Sequence, residues 1–209
     1  MAKTTNKPII IFGQEGTASE LYDYLTDDVE GFKSIDIVSI DDNIMGNPII
    51  KSLLSDESEI WYIFGVVDNK WRDLARSQIG TNPFFKPFTY IHPKAAVAKS
   101  STIGRGVYIG PNATIAPNSV IKDHGHININ ASIGHHSVVK SDALILPGSR
   151  VSGNCVIGER TLIGSNSVIY QGVKIGNDCA VDALSYVKKN VPDKHFAYGA
   201  TAKTIRRIF

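Results

Sequence analysis

The sequence lacks most of the features that mark secreted, membrane-bound or nucleic-acid-binding proteins. Its 2 cysteines, Cys155 and Cys179, are too few for a disulfide framework and do not have metal-ligand spacing. The longest uncharged apolar runs, such as residues 8–12, are far shorter than a bilayer-spanning helix requires. A formal net charge of only +2 argues against a dedicated nucleic-acid binder. The amino end, MAKTTNKP, lacks the apolar core of a signal peptide, so we expect a cytoplasmic protein without membrane attachment.

A repeat of six residues fills the carboxyl-terminal part of the chain. Every sixth position from Ile91 to Val187 is Ile or Val, and the fourth residue after each is mostly small, Cys155 and Cys179 included. Helices repeat at 3.6 residues and ordinary strands at 2, so neither produces this pattern. Six residues suit one short strand and a turn, and three such units would close a triangular coil. We therefore predict a prism of stacked parallel strands, with the β-branched residues inside and the small residues near the corners.

Residues 1–90 do not show this period and predict a separate small α/β domain. The pattern predicts strands over residues 8–12, 35–40 and 60–67 and helices over residues 18–26 and 69–78. A glycine turn separates the first strand from the first helix, and acidic residues follow the second strand. This order is typical of a Rossmann-like βαβ nucleotide site.

The candidate nucleotide-binding residues of this domain are Gly13, Gly16, Asp41 and Asp42. A glycine turn at a helix start lets backbone amides approach a diphosphate, and an acid after the second strand can accept hydrogen bonds from a ribose or a base. A purely structural interpretation stays open. Glycines at this spacing occur in many turns, Glu15 is an unfavourable neighbour for a phosphate, and the two aspartates could equally form a solvated turn.

Four of the 6 histidines lie in one short stretch, at positions 124, 126, 135 and 136. Acyl transfer to an amine or a hydroxyl needs a base, and histidine titrates near neutral pH. Gly153 follows His135 by eighteen residues, or one coil, so we expect its backbone N–H beside the imidazole, where it could stabilise an oxyanion. Two alternatives stay open: surface or trimer-contact histidines, especially His124 and His126, and a zinc site whose histidines converge across a subunit boundary.

Three segments carry a family resemblance: YIHPKAAVAKSSTIGRGVYIGPNA, INASIGHHSVVKSDALILPGSRVSGNCVIG and the tail YGATAKTIRR. They resemble the sialic-acid-type sugar O-acyltransferases and, more closely, the UDP-4-amino-sugar N-acetyltransferases of the di-N-acetylbacillosamine pathway. The resemblance implies a nucleotide-sugar-binding domain over residues 1–90 and a left-handed parallel β-helix of hexapeptide repeats over residues 91–190. It places a tail, residues 191–209, near the CoA site. It also implies a homotrimer with active sites between subunits, acetyl-CoA as the co-substrate and no metal.

The resemblance also assigns roles to individual residues. It implies that His135 is the general base and that the Gly153 N–H contacts the thioester carbonyl. Asn128 matches an asparagine of the substrate site. Ala183 would lie near the pantetheine, and Lys203 belongs to the tail motif that contributes to the CoA site.

The sequence departs from the family pattern at four positions. In the family, an acidic residue usually follows the catalytic histidine and orients its imidazole. In this sequence His136 occupies that position, so it is the second candidate catalytic residue beside His135. Thr17 replaces a histidine near the sugar, Leu144 replaces a second histidine and Thr201 replaces a proline in the tail.

We therefore expect an acetyl-CoA-dependent N-acetyltransferase that acts on a UDP-linked 4-amino-4,6-dideoxy sugar in surface glycan biosynthesis. Within the same class, the alternatives are a sialic-acid-type sugar O-acetyltransferase and an N-acetyltransferase for a dTDP-linked amino sugar. Outside it, the alternatives are a non-catalytic binding or scaffold protein and a metalloenzyme similar to the hexapeptide-repeat carbonic anhydrases.

Overall fold

The computed structural model describes residues 6–41, 43–56 and 59–206. The chain divides into two compact units, Met1–Phe88 and Thr89–Phe209, called here the amino-terminal unit and the prism unit. No helix within the described residues is long and apolar enough to cross a bilayer.

The amino-terminal unit is a four-stranded parallel sheet with three helices. Its sheet order is β2-β1-β3-β4, and all neighbouring strands are parallel. A short 3-10 turn covers Ile44–Gly46. The elements are β1 (Ile9–Phe12), α1 (Thr17–Asp28), β2 (Ile35–Val38), α2 (Pro48–Ser55), β3 (Ile60–Phe64), α3 (Asn69–Ile79) and β4 (Phe85–Pro87).

The sheet order places a crevice between β1 and β3. The chain runs from β1 to β2 on one side and then crosses to β3 on the other side, so the order reverses between β1 and β3. In open parallel sheets, ligands bind at the carboxyl ends of the strands at such a reversal. Strand β1 lies inside the sheet, next to this crevice, and all four of its residues are fully buried.

Helix α2 and strand β4 are absent from the sequence prediction. The helix does have a start signal, because Pro48 occupies its first turn and the Asn47 side chain accepts a hydrogen bond of 2.9 Å from the Ile49 N–H. Strand β4 lies at the edge of the sheet, which is the place where a strand tolerates a proline such as Pro87.

The prism unit consists of two-residue strands that repeat every six residues. They are β5 (Tyr90–Ile91), β6 (Ala96–Val97), β7 (Thr102–Ile103), β8 (Tyr108–Ile109), β9 (Thr114–Ile115), β10 (Val120–Ile121), β11 (His126–Ile127), β12 (Ser132–Ile133), β13 (Val138–Val139), β14 (Leu144–Ile145), β15 (Arg150–Val151), β16 (Val156–Ile157), β17 (Leu162–Ile163), β18 (Val168–Ile169), β19 (Lys174–Ile175), β20 (Ala180–Val181) and β21 (Tyr186–Val187).

These strands form the three walls of a triangular prism. Wall 1 contains β5, β8, β11, β14, β17 and β20; wall 2 contains β6, β9, β12, β15, β18 and β21; wall 3 contains β7, β10, β13, β16 and β19. Within each wall, every strand pairs in parallel with the strand eighteen residues away, as in Ile127 with Ile145. The register is therefore the one that the six-residue period predicts.

The second residue of almost every two-residue strand points into the prism and is buried. From Ile109 to Val187, all of these residues are at most 2% exposed, and each fully buried aliphatic side chain stabilises the fold by about 1.5–3 kcal/mol. The first coil is the exception. Ile91 is 41% exposed, and Val97 and Ile103 are half-buried, because β5, β6 and β7 are each the end strand of their wall.

From Val107 to Ser185, the small residues near the corners are buried between successive coils. Ser137 shows why a small polar residue fits there: its hydroxyl donates to the Ser152 carbonyl at 2.9 Å and accepts from the Cys155 N–H at 3.0 Å. Burial raises the pKa of the Cys155 and Cys179 thiols, so both stay protonated near neutral pH and serve as packing groups.

The tail continues wall 1 beyond the repeat. Strand β22 (His195–Tyr198) pairs in parallel with β20, and β23 (Lys203–Arg206) pairs with β22 in the antiparallel direction. The proximity of this tail to CoA stays a prediction.

Candidate active site

His135 and Gly153 meet at the corner between walls 2 and 3. Residues 134–137 connect β12 to β13, and Gly153 lies at the same corner in the next coil. The Asn154 N–H donates to the His135 carbonyl at 2.8 Å, which fixes the two turns on one another. A Cβ added to Gly153 would lie only 2.6 Å from Nε2 of His135. The imidazole thus occupies the space that a side chain at position 153 would need, and Nε2 is the ring nitrogen that faces this glycine.

Gly153 is buried in the single chain. Its backbone N–H has no hydrogen-bond partner within the described part of that chain. A free amide beside the Nε2 nitrogen of an imidazole combines an oxyanion donor with a proton acceptor.

His136 adjoins His135 and extends the polar cluster. The two Nδ1 atoms lie 3.1 Å apart, and the ring planes are nearly perpendicular, at 83°. Nε2 of His136 lies 3.3 Å from the side-chain amide nitrogen of Asn118 in the preceding coil. The sequence analysis did not identify Asn118, although its offset of eighteen residues from His136 was a usable signal.

The other two histidines of the stretch lie elsewhere. His124 adopts a left-handed turn conformation (φ 58°) at the corner between walls 3 and 1. His126 is fully buried on wall 1, with its ring centroid 4.5 Å from that of Tyr108. Among the described residues, no group of three histidine, cysteine or acidic side chains is arranged to hold a metal ion.

Asn128 lies one wall away from His135, at the corner between walls 1 and 2. It is 6% exposed, and its side-chain oxygen accepts a hydrogen bond of 2.7 Å from the Ile129 N–H. Leu144, at the position of the family's second histidine, is 1% exposed on wall 1. In the described part of the chain, no hydrogen bond joins either side chain to the His135 imidazole.

The three residues predicted to bind the cofactor lie in different places. Gly153 is at the corner between walls 2 and 3, Ala183 is at the corner between walls 1 and 2, and Lys203 begins β23 at the end of wall 1. The Ala183 N–H donates to the Asp182 carboxylate at 2.9 Å, and the next residue, Leu184, is 73% exposed. A single chain therefore does not bring these three residues together.

The amino-terminal unit has a cavity of ≈ 230 Å³ at the carboxyl ends of β1 and β3. It is at the reversal of the strand order, where a nucleotide site is expected. Of the predicted residues, Gly13 and Thr17 line it. The sequence analysis missed Trp71 and the segment after β3, although the carboxyl ends of neighbouring parallel strands necessarily converge. The lining consists of Gly13, Gln14, Glu15, Thr17, Ile40, Gly65, Val66, Val67 and Trp71.

The glycines of this cavity permit close packing as well as ligand approach. A Cβ at Gly13 would lie 2.7 Å from the Gly65 carbonyl oxygen, and a Cβ at Gly65 would lie 2.7 Å from Cα of Ala18. Gly16 precedes α1 with a φ of 75°, a backbone conformation that L side chains rarely adopt, and has open space around it. Gly16 does not line the cavity.

The predicted acidic pair is only partly described. The Asp41 carboxylate accepts a hydrogen bond of 2.8 Å from the Asn43 N–H, and its backbone carbonyl accepts one from the Gln78 side chain. Asp41 thus stabilises its own turn and does not line the cavity. Asp42 lies outside the described residues.

Comparison with known proteins agrees with this architecture. A family model described as "Bacterial transferase hexapeptide (six repeats)" matches residues 88–123, 136–171 and 154–189. The matched residues contain most of the six-residue repeats of the prism unit, which are therefore similar to the hexapeptide repeats of these transferases. A search of curated proteins found no significant match to this chain.

Several solved structures share the whole architecture. The acetyltransferase domain of PglB from Neisseria gonorrhoeae has a TM-score of 0.81 at 25% identity, over 96% of this chain and 100% of that one. A variant of perosamine N-acetyltransferase from Caulobacter crescentus, in complex with CoA and GDP-perosamine, has a TM-score of 0.79 at 24% identity, over 95% and 96%. WeeI from Acinetobacter baumannii has a TM-score of 0.80 at 20% identity, over 95% and 100%. The predicted α/β domain followed by a left-handed β-helix is confirmed.

Proposed function

We propose that this protein is an acetyltransferase that transfers the acetyl group of acetyl-CoA to the amino group of a nucleotide-linked 4-amino-4,6-dideoxy sugar. The observation that carries the proposal is the packing of His135 Nε2 against Gly153, whose N–H is free. The likeness to the PglB acetyltransferase domain supports the same reaction class. The product would enter surface glycan biosynthesis.

The proposed reaction is a direct transfer with one base. The sugar amine attacks the thioester carbonyl, and the Gly153 N–H donates to the oxyanion that develops there. His135 takes the proton of the attacking nitrogen on Nε2 as the C–N bond forms. The C–S bond then breaks, and the same proton passes from His135 to the departing CoA thiolate.

We infer that three chains form a homotrimer whose sites lie between neighbouring prisms. The separation of Gly153, Ala183 and Lys203 within one chain supports this, because a neighbouring prism could complete the CoA site. Wall 3 also presents a stripe of outward-facing, half-buried valines beside the corner that carries His135, as expected of a subunit contact. These valines are Val120, Val138 and Val156.

We place the nucleotide of the acceptor in the cavity of the amino-terminal unit. Gly16 does not line the cavity but lies between two residues that do, Glu15 and Thr17, and the free space around it at the start of α1 suits a diphosphate. Trp71, 41% exposed at the cavity, offers a ring for a base to stack on. UDP is the first candidate, from the family resemblance. GDP is the second, because the perosamine N-acetyltransferase of the same fold binds GDP-perosamine.

Thermal unfolding with separate ligands tests this proposal. A ligand at a hundred times its dissociation constant adds about 2.7 kcal/mol of stability, so CoA and one of UDP, GDP or dTDP should each raise Tm. Trp71→Ala should remove the shift caused by the nucleotide and keep the shift caused by CoA. A protein stabilised by zinc but by neither CoA nor any nucleotide would contradict the proposal and favour the metalloenzyme alternative.

A further inference from the structure

Asn118, His136 and His135 form one hydrogen-bonded chain at the corner between walls 2 and 3. The side-chain amide nitrogen of Asn118 is 3.3 Å from Nε2 of His136, and Nδ1 of His136 is 3.1 Å from Nδ1 of His135. The backbone of Asn118 is itself held, because its N–H donates to the Ser100 hydroxyl at 3.2 Å. Neither imidazole contacts a carboxylate in the described part of the chain. The last ring nitrogen of the chain, Nε2 of His135, faces Gly153.

This chain couples the tautomers of the two rings. A neutral imidazole carries one N–H, and the contact between the two Nδ1 atoms requires a hydrogen on one of them only. If Nδ1 of His135 carries it, His136 must carry its own hydrogen on Nε2 and needs an acceptor at Asn118. If Nδ1 of His136 carries it, His136 needs a donor at Asn118, and Nε2 of His135 is then protonated and cannot act as a base.

The side-chain amide of asparagine can satisfy either state, because a half-turn exchanges its oxygen and nitrogen. We propose that Asn118 is a positioning residue that turns its amide oxygen toward His136 and thereby keeps Nε2 of His135 free to take a proton. The hydrogen bonds then run from Nδ1–H of His135 to Nδ1 of His136, and from Nε2–H of His136 to the Asn118 oxygen. A relay of two neutral groups replaces the single carboxylate that commonly orients a catalytic histidine.

The inference deepens the proposed function and rests on the role of His135 as a base. During transfer, the acceptor proton adds to Nε2 of His135, while the hydrogen on Nδ1 stays in its bond to His136. No proton needs to leave Asn118 or His136 in this scheme. Without the Asn118 oxygen, the His135 ring returns toward the tautomer that a free neutral imidazole prefers, with hydrogen on Nε2.

The ¹⁵N spectrum of the ring nitrogens tests the tautomer directly. Protonated and unprotonated nitrogens of a neutral imidazole have well-separated shifts, and His135→Gln assigns the His135 signals in the full-length protein. We expect hydrogen on Nδ1 of His135 in the wild type at mildly alkaline pH, and a shift toward the Nε2–H form in Asn118→Leu. Hydrogen on Nε2 of His135 in the wild type would overturn the inference.

Kinetics supply the second test. Asn118→Leu should lower kcat about 3- to 10-fold, because the loss of one net hydrogen bond shifts the tautomer equilibrium of His135 by about that factor. The KM for acetyl-CoA should stay unchanged. Asn118→Asp, which can only accept, should recover the lost activity. Asn112→Leu is the matched control, because Asn112 has the same left-handed turn conformation (φ 56° against 59°) and is exposed at another corner. Equal kcat in the two leucine variants would overturn the inference.

The failure of the inference and the failure of the proposed function are distinguishable. The ¹⁵N measurement needs no substrate, so it decides the tautomer of His135 even if no sugar is acetylated. An active enzyme whose kcat falls in His135→Ala but not in Asn118→Leu would retain the proposed function and exclude the relay.

Discussion

At the scale of single residues, His135 is placed by the coil geometry and oriented by its neighbours. From Gly106 to Leu184, every sixth residue is a left-handed residue at a corner, and His136 fills one of these positions with a φ of 58°. The bulk of the His135 ring is accommodated only because position 153 is glycine, where an added Cβ would lie 2.6 Å from the ring. The proposed base and the proposed amide donor are thus both positioned by one pair of stacked turns.

Replacing His135 with alanine should lower kcat by about 10² to 10⁴, the usual worth of general base catalysis. Affinity for acetyl-CoA should barely change, since the imidazole acts on the acceptor. Steady-state kinetics with calorimetric titration of CoA would measure both.

Substitutions of the neighbouring His136 can be compared with His135→Ala. Because it acts through His135, His136→Ala should cost less than His135→Ala, and His136→Glu should keep activity or raise it by accepting the Nδ1–H. Near-normal turnover in His135→Ala beside an inactive His136→Ala would reverse the assignment.

Whether the sequence could predict a site residue depends on whether a sequence pattern determines the position of that residue. The stacking of Gly153 on His135 follows from the six-residue period, so counting eighteen residues was enough. Asn118 could have been found by the same count from His136, but asparagine is so common at left-handed turns that its type carried no signal. The contribution of Trp71 to the cavity depends on the strand order β2-β1-β3, which no local pattern specifies.

At the scale of elements, the coils are joined by hydrogen bonds that repeat at eighteen residues. The Asp123 carboxylate accepts from the backbone N–H of Arg105 at 2.9 Å and from its guanidinium at 3.1 Å. A similar pair, Arg160 with Asp178, joins coils farther along the prism. The helices and strands with strong periodicity were predicted from the sequence, whereas α2 and β4 were missed because they are short and their stability depends on packing.

The Arg105–Asp123 pair makes stability depend on acid pH. The hydrogen bond from the Arg105 backbone N–H, followed by the contribution of its side chain, lowers the pKa of Asp123 below its usual 3.8. A lowered pKa in the folded state stabilises the protein above the usual value, and this contribution is lost as the pH falls through the folded value.

We therefore expect the Tm difference between the wild type and Asp123→Asn to be largest near neutral pH and to shrink as the pH falls below about 3.8. Glu159→Gln is the control, because the exposed Glu159 carboxylate accepts no hydrogen bond in the described part of the chain. A Tm difference that grows toward acid pH would show that the Asp123 carboxylate does not stabilise the prism through this contact.

At the scale of the whole molecule, the proposal assigns the nucleotide to the amino-terminal unit and CoA to the prism unit. Neither unit alone holds every residue that the proposed reaction needs. The proposed base lies at one corner of the prism unit, and the remaining predicted CoA contacts lie at other places on the same unit. Assembly is therefore part of the proposed catalytic site.

Sedimentation equilibrium at micromolar concentration should give three chain masses. Replacing the wall 3 valines Val138 and Val156 with aspartate should dissociate the trimer and reduce activity with it, because charges at an apolar contact are not compensated. A fully active monomer would contradict the intersubunit site.

The most direct test of the central claim is an acetylation assay with defined acceptors. Acetyl-CoA and a 4-amino-4,6-dideoxy sugar linked to UDP, GDP or dTDP are incubated with the protein. The thiol of released CoA is measured with a colorimetric thiol reagent, and the mass of the sugar is measured by mass spectrometry. The account predicts that CoA release matches the gain of one acetyl group on the amine of at least one of these sugars, and that His135→Ala reduces both together. Absence of acetylation of every amino sugar by a folded trimer that binds CoA, or equal acetylation by His135→Ala, would contradict it.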